Sequence, residues 1–169
     1  MRERQASRNA RRAREFEAFV AGAAGRLLHA ATLLTAEPPN DNPRARRLLT
    51  AALAHTYATW DRLHGEDPYN RTRQQLAVRF ARAAWHQYGA FGWARPRNRP
   101  HPDSVLRCLT PQERLILVLR MYEGVAEEQA AALLGLPTER VRAICARAMA
   151  TLLHPPRDAA PPVAKVVPS

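Results

Sequence analysis

Apolar residues recur at intervals of three and four along most of the chain, which is the period of an amphipathic α-helix. In the N-terminal part this pattern predicts three helices, over about 15–35, 44–62 and 69–88. Segments rich in Pro, Gly and Asn separate them at 36–43 and 65–68. The residues predicted to face inward are Phe16, Val20, Ala23, Leu27, Ala31 and Leu34, then Leu49, Leu53 and Trp60, then Leu76, Phe80 and Ala84. The chain is therefore predicted to be all-α.

A second helical pattern runs from 110 to 153 and has clear boundaries. Thr110-Pro111-Gln112-Glu113 has the form of a capping box, and Gly124 provides an end for the helix that follows. Glu127 and Glu128 begin a short helix, which the sequence Gly-Leu-Pro at 135–137 ends. We expect Thr138 to cap a last helix with Val141, Ile144, Cys145, Ala148 and Leu152 on its inner face. Two short helices around a tight turn predict a helix-turn-helix, whose second helix can enter a DNA major groove.

A three-helix packing unit without a DNA role would show the same apolar pattern. Charge favours DNA binding, since Arg140, Arg142 and Arg147 lie off the apolar face. The whole chain has a net charge of +11 and a pI of about 11.2, which indicates a polyanionic partner. Lys165 is the sole lysine, so 25 of the 26 basic residues are arginines, which suit phosphate and guanine contacts.

This C-terminal segment resembles region 4 of the extracytoplasmic-function sigma factors, promoter-specificity subunits of bacterial RNA polymerase. Matching positions include Leu109, Thr110, Pro111, Arg114, Leu119, Arg120, Glu123, Gly124, Glu128, Ala131, Leu134, Gly135, Val141, Arg142, Arg147 and Ala148. Ala126, Arg140 and the pair Ala143-Ile144 depart from the family pattern. The resemblance implies that the last helix reads the −35 promoter element, with Thr138, Glu139, Arg140, Arg142, Ala143 and Arg147 as candidate DNA-binding residues.

The third predicted helix carries a polar and mostly basic stripe opposite its core face. Arg71, Gln75, Arg79, Arg82 and His86 step along it by three and four, and Trp85 lies close by. Solvation of an exposed face explains most such stripes, whereas a nearby aromatic suits base stacking on single-stranded DNA. The resemblance extends to this segment with fewer matching positions. It implies that these six residues bind the −10 promoter element.

The second predicted helix resembles the family's main docking helix for the polymerase clamp. Its apolar and aromatic positions are kept, which makes Leu48, Leu49, Leu53, Tyr57 and Trp60 the candidate polymerase-binding residues. The family's acidic and amide positions are instead Arg47, Thr50 and Ala51. The partners implied are core RNA polymerase and promoter DNA, with an anti-sigma factor as a further candidate.

No catalytic constellation, phosphate-binding loop or metal-ligand spacing occurs in the sequence, so we expect no enzyme activity, cofactor or metal. Cys108 and Cys145 stand in no zinc motif, and Cys145 is predicted to be a small core residue. No uninterrupted apolar run approaches the ~20 residues of a membrane span, and no signal core follows the N-terminus. We therefore expect a cytoplasmic protein without a membrane partner.

The predicted organisation has five parts. A basic arm at 1–14, expected to be frayed, with a phosphate-binding extension as the alternative, precedes a region 2-like helical bundle at 15–88. A basic linker at 89–104, either a flexible tether or a segment that tracks nucleic acid, leads to a region 4-like helix-turn-helix domain at 105–154. A disordered tail is expected at 155–169. The first hypothesis is a sigma-type initiation factor. The alternatives are a sigma-like DNA-binding regulator, or a module for an acidic protein partner, neither of which directs polymerase.

Overall fold

The structure of the chain, a computed structural model, describes residues 2–93 and 105–154. These residues form the α-helices α1 (Arg2–Thr35), α2 (Pro43–Ala58), α3 (Pro68–Trp93), α4 (Pro111–Leu117), α5 (Glu127–Leu134) and α6 (Thr138–Leu153). Short 3₁₀ turns lie at Trp60–Arg62 and Val105–Cys108, and a π-helical turn at Val118–Tyr122 continues α4. The described residues contain no strand, and the predicted all-α fold is confirmed.

Helix α1 begins at Arg2, much earlier than the predicted start near residue 15, so the expectation of a frayed arm was wrong. No Pro or Gly interrupts residues 2–21, and Arg11 pairs with Glu15 one turn later at 2.7 Å. A tertiary contact holds this extension as well. Arg12 lies 3.2 Å from Asp61, and its guanidinium stacks 4.3 Å above the ring of Tyr57.

The first hydrophobic cluster joins α1, α2 and α3. It contains Ala23, Leu27, Ala31, Ala45, Leu49, Ala52 and Leu76. The predicted inward positions in this set are buried, whereas Phe16, Val20, Leu53 and Trp60 are only partly buried. Thr56 and Thr72 are both fully buried, and a 2.9 Å bond between their hydroxyls links α2 to α3. Small residues at the contacts let these helices approach one another closely.

A second hydrophobic cluster unites the N-terminal and C-terminal halves. It combines Ala30 and Leu34 of α1 and Ala77 and Phe80 of α3 with Leu115, Ile116, Val118, Leu119, Val125, Ala130, Ala131, Val141 and Ile144. Arg107 also donates from Nε to the carbonyl of Ala36 at 3.1 Å. The two halves predicted as separate domains therefore share one core in this arrangement. Periodicity within each helix could not reveal that contact, because it fixes which face is apolar but not which neighbour covers it.

Helix α3 continues past its predicted end at Tyr88, with a kink at Gly89 (φ 64°, ψ −178°). This left-handed backbone suits Gly, which carries no Cβ. The linker predicted for 89–104 is thus helical up to Trp93, and its remainder lies outside the described residues, as does the predicted tail at 155–169. By length and composition alone, Glu3–Thr35 could cross a membrane. Its inward residues pack in both clusters, as in the core helix of a globular protein.

Candidate DNA-binding surfaces

The capping box predicted at the start of α4 is present. The Thr110 hydroxyl accepts from the Glu113 backbone N–H at 3.1 Å, and the Glu113 carboxylate accepts from the Thr110 N–H at 2.9 Å. The second carboxylate oxygen accepts from Nε of Arg147 at 2.7 Å. Glu113 therefore fixes the beginning of α4 and attaches α6 to it.

The turn between α5 and α6 has the geometry of a helix-turn-helix. Gly135 ends α5 in the left-handed conformation (φ 64°), and the Leu136 N–H bonds back to the Ala131 carbonyl at 3.0 Å. Pro137 holds the cap position of α6, so the prediction that Thr138 caps this helix was wrong. The backbone of Pro137 is extended, as is usual for the residue that caps a helix, and Thr138 is the first helical residue.

The inner face of α6 is as predicted, with Val141, Ile144 and Ala148 buried and Cys145 and Leu152 partly buried. Exposed residues stepping by four, three and four line the opposite face: Glu139, Ala143, Ala146 and Ala150. Arginines flank this strip of small side chains. Such a face can offer methyl contacts to thymine and charge to phosphates, but few hydrogen bonds to base edges.

The predicted DNA-binding arginines of α6 differ in how they are held. Arg142 contacts Glu127 of α5 at 2.9 Å and both carboxylate oxygens of Glu139 at 2.9 and 3.0 Å. The hydrogen bond to Glu127 is the main cause that raises the pKa of Arg142, and the negative charges of Glu127 and Glu139 raise it further. Among the described residues, the side chain of Arg140 has no hydrogen bond or ion pair. Arg140 is therefore the most available cation on this helix.

The stripe on α3 provides a second basic surface. Arg71, Gln75 and Arg79 are partly buried, whereas Arg82, Trp85 and His86 are exposed, with Trp85 at 51%. The Nε atoms of Arg71 and Arg79 are buried without a hydrogen-bond partner in the described chain. None of the stripe's arginines pairs with a described carboxylate. Among the described residues, more of the arginines without a carboxylate partner therefore lie on the α3 stripe than on α6.

Most of the predicted polymerase-binding residues lie inside the N-terminal half. Leu49 is 7% exposed, and Leu48 and Leu53 pack against the first cluster. Rings of α1 cover the other two: Phe16 lies 4.8 Å from Tyr57 and 5.3 Å from Trp60 between centroids. Of the five, only Tyr57 reaches 37% exposure. The helix instead presents another set outward, namely Arg44, Arg47, Thr50, Ala54 and Ala58.

The sequence prediction did not include these outward residues, because the apolar pattern marks the core side of a helix. Arg47 and Thr50 are among the positions, with Ala51, where the resemblance implies acidic or amide residues. Within residues 2–93 and 105–154, no group of three or more His, Cys, Asp or Glu side chains could hold a metal ion. Burial raises the pKa of the thiols of Cys108 and Cys145.

Comparison with protein families matches residues 105–154 to the model of sigma-70, region 4. The RNA polymerase sigma-E factor of Streptomyces coelicolor (strain ATCC BAA-471 / A3(2) / M145) is 28% identical over 153 residues, covering 82% of this chain and 84% of the relative. That of Streptomyces avermitilis is 27% identical over 153 residues, with coverages of 82% and 83%. No solved structure matches significantly.

Proposed function

We propose that this chain binds core RNA polymerase and directs it to promoters. The premise is that the chain belongs to the sigma-70 family as an extracytoplasmic-function sigma factor. It would act in the cytoplasm, on promoter DNA, without chemistry of its own. The observation that carries the proposal is the pairing of two basic surfaces, on α3 and α6, within one chain of this family. Each surface has the residue types that its part of a promoter requires.

The α3 stripe is proposed to hold the melted −10 element. Arg71, Arg79 and Arg82 would bind phosphates, since they have no carboxylate partner among the described residues. Trp85 is exposed and offers a stacking surface to an unpaired base. Gln75 and His86 add donors and acceptors along the same face. We therefore expect the α3 stripe to contribute more to binding of separated DNA strands than to binding of duplex DNA.

Helix α6 is proposed to lie in the major groove at the −35 element. Ala143, Ala146 and Ala150 form a narrow exposed strip of small side chains on it, which permits close approach to the groove floor. Arg140 supplies a free cation, and Arg142 and Arg147 supply cations that already have carboxylate partners. Contacts to phosphates and thymine methyl groups should therefore outweigh hydrogen bonds to bases.

The outward face of α2 is proposed to dock on polymerase, with Tyr57 at its end. The exposed residues Arg47, Thr50 and Ala54 form a shallow basic surface. The absence of acidic side chains from this described face favours a second candidate function. In that alternative the chain is a sigma-like regulator that binds DNA but does not direct polymerase.

Titration of labelled protein with core RNA polymerase tests the proposal. Ala54→Arg places a long charged side chain on the docking face and should weaken binding roughly tenfold or more. Ala21→Arg makes the same change at an exposed site of α1 and serves as the matched control. Binding that Ala54→Arg weakens selectively supports the docking face. A wild-type chain that binds promoter duplexes but not core polymerase would support the regulator instead.

A further inference from the structure

Two arginines near the start of α2 have no side-chain partner within the described residues. Arg44 and Arg47 are both exposed, and neither side chain makes a hydrogen bond or ion pair with residues 2–93 or 105–154. The sequence of α2 itself contains no Asp or Glu. The helix that carries these two charges therefore provides nothing to compensate them.

A carboxylate does lie near the start of α2, but it is bound to the backbone. Glu37 accepts from the backbone N–H of Arg44 at 3.1 Å and from that of Ala45 at 2.8 Å. The Thr35 hydroxyl donates to the same carboxylate at 3.0 Å. These bonds satisfy N–H groups that the first turn of an α-helix leaves without an intrahelical partner. Glu37 thus has a structural task at the beginning of α2.

The position of Arg44 is unfavourable for the helix that contains it. The N-terminus of an α-helix carries a partial positive charge, so a carboxylate stabilises the first turn and a cation destabilises it. Arg44 directly follows Pro43, the first residue of α2, and no acidic residue occupies that turn. Stability of the helix therefore does not explain a charge at this position, whereas binding of an anionic partner does.

The rest of the outward face of α2 indicates a protein surface as the partner, not a nucleic acid. Thr50 and Ala54 are exposed and follow Arg47 at helical spacing, and Tyr57 is 37% exposed on the same side. No Arg or Lys occurs in 48–58, whereas a DNA backbone presents phosphate charges along its whole length. Small side chains permit close approach of another chain, and Tyr and Arg are enriched in protein interfaces.

We propose that the outward face of α2 docks on an acidic surface of core polymerase, whose carboxylates pair with Arg44 and Arg47. This inference rests on the proposed function and specifies the charge of the polymerase surface that α2 contacts. Arginine suits the contact because its planar guanidinium can bind both oxygens of one carboxylate. Both arginines would repel a basic polymerase surface at the same place.

Titration of labelled protein with core RNA polymerase at several salt concentrations tests this charge assignment. Arg44→Gln with Arg47→Gln removes both charges, and Arg44→Glu with Arg47→Glu reverses them. Arg44→Lys with Arg47→Lys keeps the charges without the planar groups. Arg4→Glu with Arg8→Glu makes the same reversal at exposed sites of α1 and is the matched control. Thermal denaturation checks folding, and the glutamine pair should melt no lower than the wild type, since it removes cations near a helix N-terminus.

At low salt the glutamine pair should bind polymerase roughly tenfold more weakly than the wild type, and the glutamate pair roughly a hundredfold more weakly. The lysine pair should lose less affinity than the glutamine pair, and the α1 control should stay within about threefold of the wild type. Added salt should weaken the wild type and narrow its difference from these α2 variants, because it screens exposed charges.

Two results would contradict the account in different ways. If the glutamate pair binds core polymerase as tightly as the wild type, or more tightly, the acidic surface is overturned while polymerase docking itself stands. If the wild-type chain does not bind core polymerase at any salt concentration, the proposed function fails, and the contact that rests on it fails as well.

Discussion

Arg147 of α6 donates from Nε to the Glu113 carboxylate at 2.7 Å, across 34 positions of sequence. Glu113 is 8% exposed and also completes the capping box of α4, whereas Arg147 is 59% exposed. One arginine of the predicted recognition helix therefore has a structural task within the helix-turn-helix. A DNA phosphate would have to share Arg147 with Glu113.

Arg147→Ala should lower the free energy of unfolding by about 1 kcal/mol, because it leaves a nearly buried carboxylate with one fewer charged partner. Denaturant titration measures the change. Arg140→Ala, which breaks no described contact, should change stability by less than about 0.5 kcal/mol. Unchanged stability in Arg147→Ala with a large loss of DNA affinity would mean that DNA contact is its main role.

Arg140→Ala should reduce the slope of log affinity against log salt by about one unit on −35 duplexes, because it removes one available phosphate contact. Arg142→Ala should change the slope less, since Arg142 already pairs with Glu127 and Glu139. Fluorescence anisotropy at several salt concentrations gives both slopes. Equal slopes for Arg140→Ala and the wild type would show that Arg140 does not contact a DNA phosphate.

Arg79→Ala combined with Arg82→Ala should weaken promoter opening more than duplex binding, because the α3 stripe is proposed to hold separated strands. Permanganate reactivity of unpaired thymines reports opening, and a gel-shift assay reports duplex binding. Arg4→Ala combined with Arg8→Ala removes two exposed charges of α1, away from the proposed binding surfaces, and serves as the control. An equal loss in both assays would contradict the assignment to melted DNA.

Arg12→Ala should loosen the N-terminal extension of α1, since Arg12 contacts Asp61 and the Tyr57 ring and carbonyl. Amide hydrogen exchange over residues 2–12 should become several-fold faster. Arg11→Ala removes only the exposed pair with Glu15 and should have a smaller effect. If both variants exchange alike, the tertiary contact of Arg12 does not hold the extension.

Burial and the hydrogen bond to Glu123 raise the pKa of Tyr69 well above its ordinary value. Because the pKa of Tyr69 is higher in the folded state than the unfolded value of about 10, the resulting stabilisation is complete below about pH 10. It is lost as the pH rises through the folded-state pKa. The alkaline absorbance titration of the wild type minus that of Tyr69→Phe should show an ionisation far above that of free tyrosine. Ionisation near about 10 would show that the Tyr69–Glu123 bond is absent in solution.

Local features of this fold were predictable because short segments determine them. The capping box at Thr110 and Glu113 and the inner face of α6 follow from spacing alone. The extension of α1 to Arg2 was missed, since an arginine-rich segment predicts solvation unless a partner such as Tyr57 is known. The shared core of Phe80 and Leu119 was also missed, because it depends on how the halves pack.

The candidate sites were predictable to a similar extent. Periodicity identified the polar α3 stripe, but the structure was needed to show that Arg71 and Arg79 are partly buried and that Arg142 and Arg147 have carboxylate partners. The apolar residues predicted to bind polymerase, such as Leu49, are instead packed in the core. Apolar residues at helical spacing mark the core side of a helix, and Leu49 packs there.

The central claim is that this chain directs RNA polymerase to promoters, and run-off transcription tests it most directly. Core polymerase with the purified protein, on genomic fragments, should give transcripts with defined start points that core polymerase alone does not give. Loss of those transcripts in Arg79→Ala with Arg82→Ala, but not in Arg4→Ala with Arg8→Ala, would tie them to the α3 stripe. DNA binding without any specific transcript would contradict the account and indicate a regulator that acts without directing polymerase.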